Sequence, residues 1–144
     1  MTKYIPQAPT VKQAAFLLLP VIEAFYGGQP GGGKSSALLM AALQYVDVPG
    51  YSALLLRRTY ADLALAGALM DRARSWLAGT DAVWNEQRKI WRFPSGATLT
   101  FGYLENENDK YRYQGSEFQF VGFDEVSQFT EPQYRYLFSR LRRL

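Results

Sequence analysis

The sequence predicts an α/β fold built on a mostly parallel sheet with an inserted β-hairpin. Three observations carry that prediction. An apolar run over residues 21–26 leads into Gly27-Gly28-Gln29-Pro30-Gly31-Gly32-Gly33-Lys34-Ser35, and a helical pattern over residues 36–43 follows; strand, glycine-rich loop and helix in this order frame a phosphate-binding loop. A second apolar run, residues 118–123, ends in Asp124 and Glu125. Between the two, residues 88–93 and 97–101 read as strands joined by the turn residues Pro94-Ser95-Gly96.

Gly28, Gly33, Lys34 and Ser35 fit the spacing G-x-x-x-x-G-K-[ST]. Glycines in such a loop let the backbone bring its N–H groups within hydrogen-bonding reach of phosphate oxygens. The following helix turns its positive N-terminal end toward the same anion. Gly28, Gly31, Gly32, Gly33, Lys34, Ser35 and Ser36 are the expected cofactor-binding set. Lys34 is expected to reach the β- and γ-phosphates of ATP, and the Ser35 hydroxyl to ligate Mg²⁺. The acidic strand supplies the other half of the site: Asp124 is expected to hold Mg²⁺, directly or through water, and Glu125 to orient and deprotonate the attacking water.

Length and composition narrow the chemistry. At 144 residues, 48% of them hydrophobic, the chain has the size of one domain and the material for a core. No run approaches the roughly 18 apolar residues of a membrane span, and residues 1–6 lack the apolar core of a signal peptide, so a soluble cytoplasmic protein is expected. With no Cys and no His, disulfides, zinc sites and His-based acid–base chemistry are excluded. Carboxylates, Lys, Arg and an oxygen-bound metal remain. The net charge of +3 does not by itself specify a nucleic-acid partner, although eleven of the sixteen basic residues are Arg, the type suited to phosphate forks.

In chain order, residues 1–10, with Pro6 and Pro9, read as an extended arm. Val11, Ala14, Ala15, Leu18 and Leu19 recur at helical spacing until Pro20. Gln13 on that helix carries an amide that donates and accepts at once, as the edge of adenine requires; the alternative is a solvated helix residue. A helix over residues 35–46 is expected to end at Val48-Pro49-Gly50, and residues 52–56 form an unbroken apolar run of the kind covered on both faces. That strand stops at Arg57-Arg58-Thr59, where open α/β sheets bind ligands. The two guanidinium groups either meet phosphate or DNA or extend to water. Thr59 and Asp62 read as a capping box for one helix over residues 60–78, terminated by Gly79.

Alternation in the hairpin puts Arg88, Ile90 and Arg92 on one face and Lys89, Trp91 and Phe93 on the other. Arg88 and Arg92 then either track a nucleic-acid backbone or blunt an exposed sheet edge. Residues 104–116 read as a polar loop. Thr130 and Gln133 form a second capping box, with Pro132 in the first turn, for a closing helix whose apolar face is Tyr134, Leu137, Phe138 and Leu141.

These motifs in this order resemble the N-terminal ATPase region of phage terminase large subunits, the motors that package viral double-stranded DNA into a preformed head. The resemblance runs through Lys12-Gln13, residues 26–35, Leu56-Arg57-Arg58-Thr59, the hairpin, Tyr113-Gln114-Gly115-Ser116-Glu117-Phe118, Phe123-Asp124-Glu125-Val126 and Leu137-Phe138-Ser139-Arg140-Leu141-Arg142. It implies an Mg²⁺-dependent ATPase in which Gln13 reads adenine, and a P-loop NTPase fold of the additional-strand, catalytic-Glu class. It also implies a ring homo-oligomer with an arginine finger supplied between subunits. Arg112 is the candidate, because relatives often carry an Arg just before the Gly that precedes the acidic strand. Gln114 fills the adjoining position here, and Arg140 is the alternative. Many relatives carry an Arg where this chain has Gln29-Pro30.

Double-stranded DNA, a portal protein and a terminase small subunit are the implied partners, and the cytoplasm of the bacterial host is the implied location. In the additional-strand class a later strand separates the acidic strand from the phosphate-loop strand. No such strand follows before Leu144. Residues 1–144 are therefore expected to be a single P-loop ATPase domain without its later core strands or the RNase H-like nuclease domain of the family, and with an empty slot in its sheet. Two other readings stay open: a helicase-like P-loop ATPase on DNA, and a nucleotide-binding fragment without turnover.

Overall fold

In the computed structural model, which describes residues 4–5, 23–24, 34–65, 69–124 and 129–142, the chain first forms β1 (Glu23–Ala24), α1 (Lys34–Leu43), β2 (Ser52–Arg57), α2 (Tyr60–Ala64) and α3 (Leu69–Leu77). It continues through β3 (Val83–Asn85), β4 (Ile90–Arg92), β5 (Thr98–Tyr103), a 3₁₀ helix (Glu107–Tyr113), β6 (Phe120–Phe123) and α4 (Glu131–Phe138). The strands form one sheet in the order β1-β6-β2-β5-β4-β3. Pairing is parallel from β1 through β6 and β2 to β5, and antiparallel from β5 through β4 to β3. The α/β expectation holds, as a mixed sheet.

β2 shows why the sheet is covered on both sides. Ala53, Leu54, Leu55 and Leu56 are all fully buried, and successive side chains of a strand point to opposite faces. Ala53 and Leu55 join Leu38, Leu39 and Leu43 of α1 and Leu69, Ala73 and Leu77 of α3. Leu54 and Leu56 join Val121, Phe123, Leu137 and Leu141 on the other face. Each such Leu contributes roughly 1.5–3 kcal/mol by leaving water. α1 is buried from Ala37 to Leu43, as an all-apolar helix must be. It comes close to the sheet at Gly122, where a Cβ would stand 2.7 Å from Leu55 Cδ2 and 3.0 Å from Leu38 Cδ2.

Several local expectations are met. Gly79 takes φ +81 just after α3, and Gly96 takes φ +92 in the turn between β4 and β5. The Thr130–Gln133 capping box is present in both directions. At α2 only half of the expected capping box forms: the Thr59 side chain accepts from the Asp62 N–H, without the reciprocal bond from the Thr59 N–H to the Asp62 side chain. Of the arm, Tyr4 and Ile5 are buried, and the Tyr4 ring packs edge-on against Phe93 at 5.0 Å. The helix expected over residues 11–19 lies outside the described residues.

Other expectations are corrected. The slot between the first strand and the acidic strand is closed: Glu23 pairs with Val121 and Ala24 with Gly122. Direct pairing satisfies N–H and C=O groups that an open slot would leave buried and unmatched. The helix expected over residues 60–78 is two helices, because Leu65 leaves α2 in extended backbone, ψ 145, and Gly67, a poor helix former, stands inside the expected span. The hairpin is not a separate insertion. Its second strand, β5, is also the parallel neighbour of β2, and β3 adds a third antiparallel strand that the sequence reading did not contain.

Arg88 is not on the strand. It sits in the turn between β3 and β4, where its N–H donates to Asn85 Oδ1 at 3.0 Å, and Lys89 at φ +58 ends the alternation. Part of the polar loop is the 3₁₀ helix, with Lys110 and Tyr113 buried. On α4 the buried stripe runs Gln133, Leu137 and on to Leu141, whereas Phe138 is half exposed.

Candidate active site

The parallel strands end along one edge of the sheet, and of the residues expected to hold nucleotide and metal, Ser35, Ser36 and Asp124 are described there. Asp124 follows β6, its N–H still donating to the carbonyl of Leu56 at 2.9 Å. Arg57 ends β2. α1 begins at Lys34, so its first turn holds Ser35 and Ser36. Ser35 Oγ donates to Asp124 Oδ2 at 3.3 Å, joining positions 89 residues apart. Arg57 Nη1 donates to the same Oδ2 at 2.5 Å.

This ion pair is enclosed, with side-chain exposures of 12% for Arg57 and 4% for Asp124. Taking two charges from water is costly, and such a pair persists where hydrogen bonds complete it; removing one partner of a buried pair typically costs about 3–5 kcal/mol. The sequence offered phosphate, DNA or solvent for Arg57, and not this contact. Arg58 turns elsewhere, its Nη1 donating to the carbonyl of Leu104.

Ser36 is buried, and its hydroxyl accepts from Arg72 Nη1 of α3 at 2.9 Å. What Ser36 can offer a ligand is its backbone N–H, one of the four at a helix N-terminus without an intrahelical partner. Lys34 is the first residue of α1, and its side chain lies outside the described residues. So do Gln13, Gly28, Gly31, Gly32, Gly33 and Glu125. The structure thus brings together Ser35, Ser36 and Asp124 of the expected set and adds Arg57 and Arg72. The signal for Arg57 was its place at a strand end on the ligand-binding edge.

Arg112 lies on the 3₁₀ helix at this same edge. Its guanidinium stands 4.4 Å from the ring centroid of Tyr103, the register partner of Arg57, and donates to Asp109 Oδ1 at 3.2 Å. Beside it the Tyr113 ring covers Gly102, where a Cβ would collide with Tyr113 Oη. Burial pushes the Tyr113 hydroxyl up to about 12. Arg140 is at the other end of the acidic strand, where its carbonyl accepts from the Phe118 N–H at 2.9 Å and its guanidinium lies 5.7 Å from the Tyr136 ring centroid. Arg92 on β4 and Arg88 in the turn before it are both exposed.

A family model described as terminase large subunit, T4likevirus-type, N-terminal, matches residues 25–143. The chain belongs to this family. Curated proteins and solved structures give no match. Membership of the terminase large subunit N-terminal family supports a role in packaging phage DNA. The matched span contains the loop ahead of α1, the acidic strand and α4. Among the described residues, no helix is long and apolar enough to cross a membrane.

Proposed function

We propose that this chain is a P-loop ATPase that drives packaging of viral double-stranded DNA. The carrying observation is the 3.3 Å contact between Ser35 Oγ and Asp124 Oδ2. A hydroxyl at the start of a helix after a glycine-rich loop, facing a carboxylate at the end of a neighbouring parallel strand, is the donor pair that Mg²⁺ and a triphosphate require. Both are hard oxygen donors, so they would hold Mg²⁺, which would supply positive charge against the charge developing on the phosphates.

The chain's own residues do the rest. The loop glycines, Gly28 and Gly31 to Gly33, turn N–H groups to the phosphates, and the Ser36 N–H adds the helix terminus. Lys34 neutralises the β- and γ-phosphates, and Gln13 reads the adenine edge. Glu125, one residue beyond the metal ligand, accepts the proton of the attacking water. Arg112 is the finger offered to a neighbouring subunit in a ring. Arg88 and Arg92 contact the duplex backbone, and a portal protein and a terminase small subunit are the assembly partners, in the host cytoplasm.

Two substitutions separate these roles. Lys34→Ala should abolish triphosphate binding, whereas Glu125→Gln should leave ATP bound with Mg²⁺ and remove hydrolysis. Equal loss of binding in both variants would remove Glu125 from the role of base. Intact binding without turnover in the unaltered chain would instead favour a nucleotide-binding role.

A further inference from the structure

We propose that Arg57 is a positioning residue that competes with the divalent cation for Asp124, so that metal binding moves its guanidinium off the carboxylate and toward the nucleotide phosphates. The inference rests on the functional reading of Ser35 and Asp124 given above. Arg57 Nη1 and Ser35 Oγ converge on one oxygen, Asp124 Oδ2. A cation held by both Ser35 and Asp124 must approach the place where Arg57 now stands, and two positive charges repel strongly in a site this dry. A triphosphate at the N-terminus of α1 would offer the displaced guanidinium anionic oxygens that suit its planar fork.

The backbone around Arg57 can stay still while its side chain moves. Arg58 is held by the carbonyl of Leu104, Thr59 caps α2, and the Tyr60 N–H donates to Glu105 Oε1 at 2.9 Å. Arg57 would thus report the state of the metal site without shifting the end of β2.

Titration of the full chain with Mn²⁺ as a paramagnetic stand-in for Mg²⁺, without nucleotide, tests this. Arg57→Gln should tighten Mn²⁺ binding on the order of tenfold, Arg57→Lys should stay near the unaltered chain, and Asp124→Asn should abolish binding. A residue that merely shapes the site would give the opposite sign, so unchanged or weaker binding in Arg57→Gln overturns the proposal. Mn²⁺ binding insensitive to Asp124→Asn would overturn the site reading itself, and this inference with it. In the unaltered chain, Mg²⁺ should shift the Arg57 side-chain ¹⁵N resonances saturably and leave those of Arg58 in place. Arg57 resonances that stay fixed while metal binds would also contradict it.

Discussion

Tyr113 illustrates what one side chain decides at the candidate edge. Its ring occupies the room left by Gly102 and its ionisation is pushed up from 10 to about 12, chiefly by burial. Folding therefore favours the neutral hydroxyl. Its contribution is complete below pH 10 and is lost as pH rises from 10 toward 12, because the unfolded chain releases that proton first. Urea unfolding between pH 8 and 12 should show stability falling above pH 10, and Tyr113→Phe should reduce the slope by up to about 1.4 kcal/mol per pH unit. Equal slopes would show that the hydroxyl does not contribute. The approach of Ser35 to Asp124 was legible in the sequence because a phosphate loop and an acid-ended strand constrain residue type and spacing locally. The partner of Arg57 was not, since that contact needs two strands 67 residues apart to lie side by side in register.

Gln133 does the same at the level of an element. It is fully buried. Its Oε1 accepts from the Thr130 N–H at 3.0 Å, and its Nε2 donates to the carbonyls of Leu104 and Asn106 at 3.2 and 3.4 Å. One amide thus caps α4 and ties it to the entrance of the 3₁₀ helix. Gln133→Ala should destabilise the chain by about 1–3 kcal/mol, since buried carbonyls lose their donor; a denaturant midpoint within error of the unaltered chain would contradict this. The cap itself was readable from Thr130 and Gln133, because capping is a contact across three residues. Less local features were not. β3, with three residues, is too short for alternation to register, and the break at Leu65 had no proline to announce it. The half-exposed Phe138 reflects a buried stripe centred on Gln133, which polarity had excluded from the expected apolar face.

For the whole molecule, the sheet order sets two regions apart. The parallel strands gather Ser35, Arg57 and Asp124 at one edge, while Arg92 on β4 and Arg88 in the turn before it are exposed beside the antiparallel strands. If that second region meets the duplex, the Arg88→Ala, Arg92→Ala double variant should bind DNA more weakly, with a salt slope shallower by about one unit per lost phosphate contact. An unchanged slope would return both residues to the role of blunting a sheet edge. The sheet order itself could not be read ahead: the parallel runs were visible, but adjacency of β1 and β6 is a tertiary choice. The most direct test of the central claim is the Mg²⁺ dependence of ATP affinity. The unaltered chain should bind ATP more tightly with Mg²⁺ than without, and Ser35→Ala and Asp124→Asn should each lose most of that gain while keeping their metal-free affinity. If both variants retain the full Mg²⁺ enhancement, the two residues do not hold the metal and the proposed site is wrong.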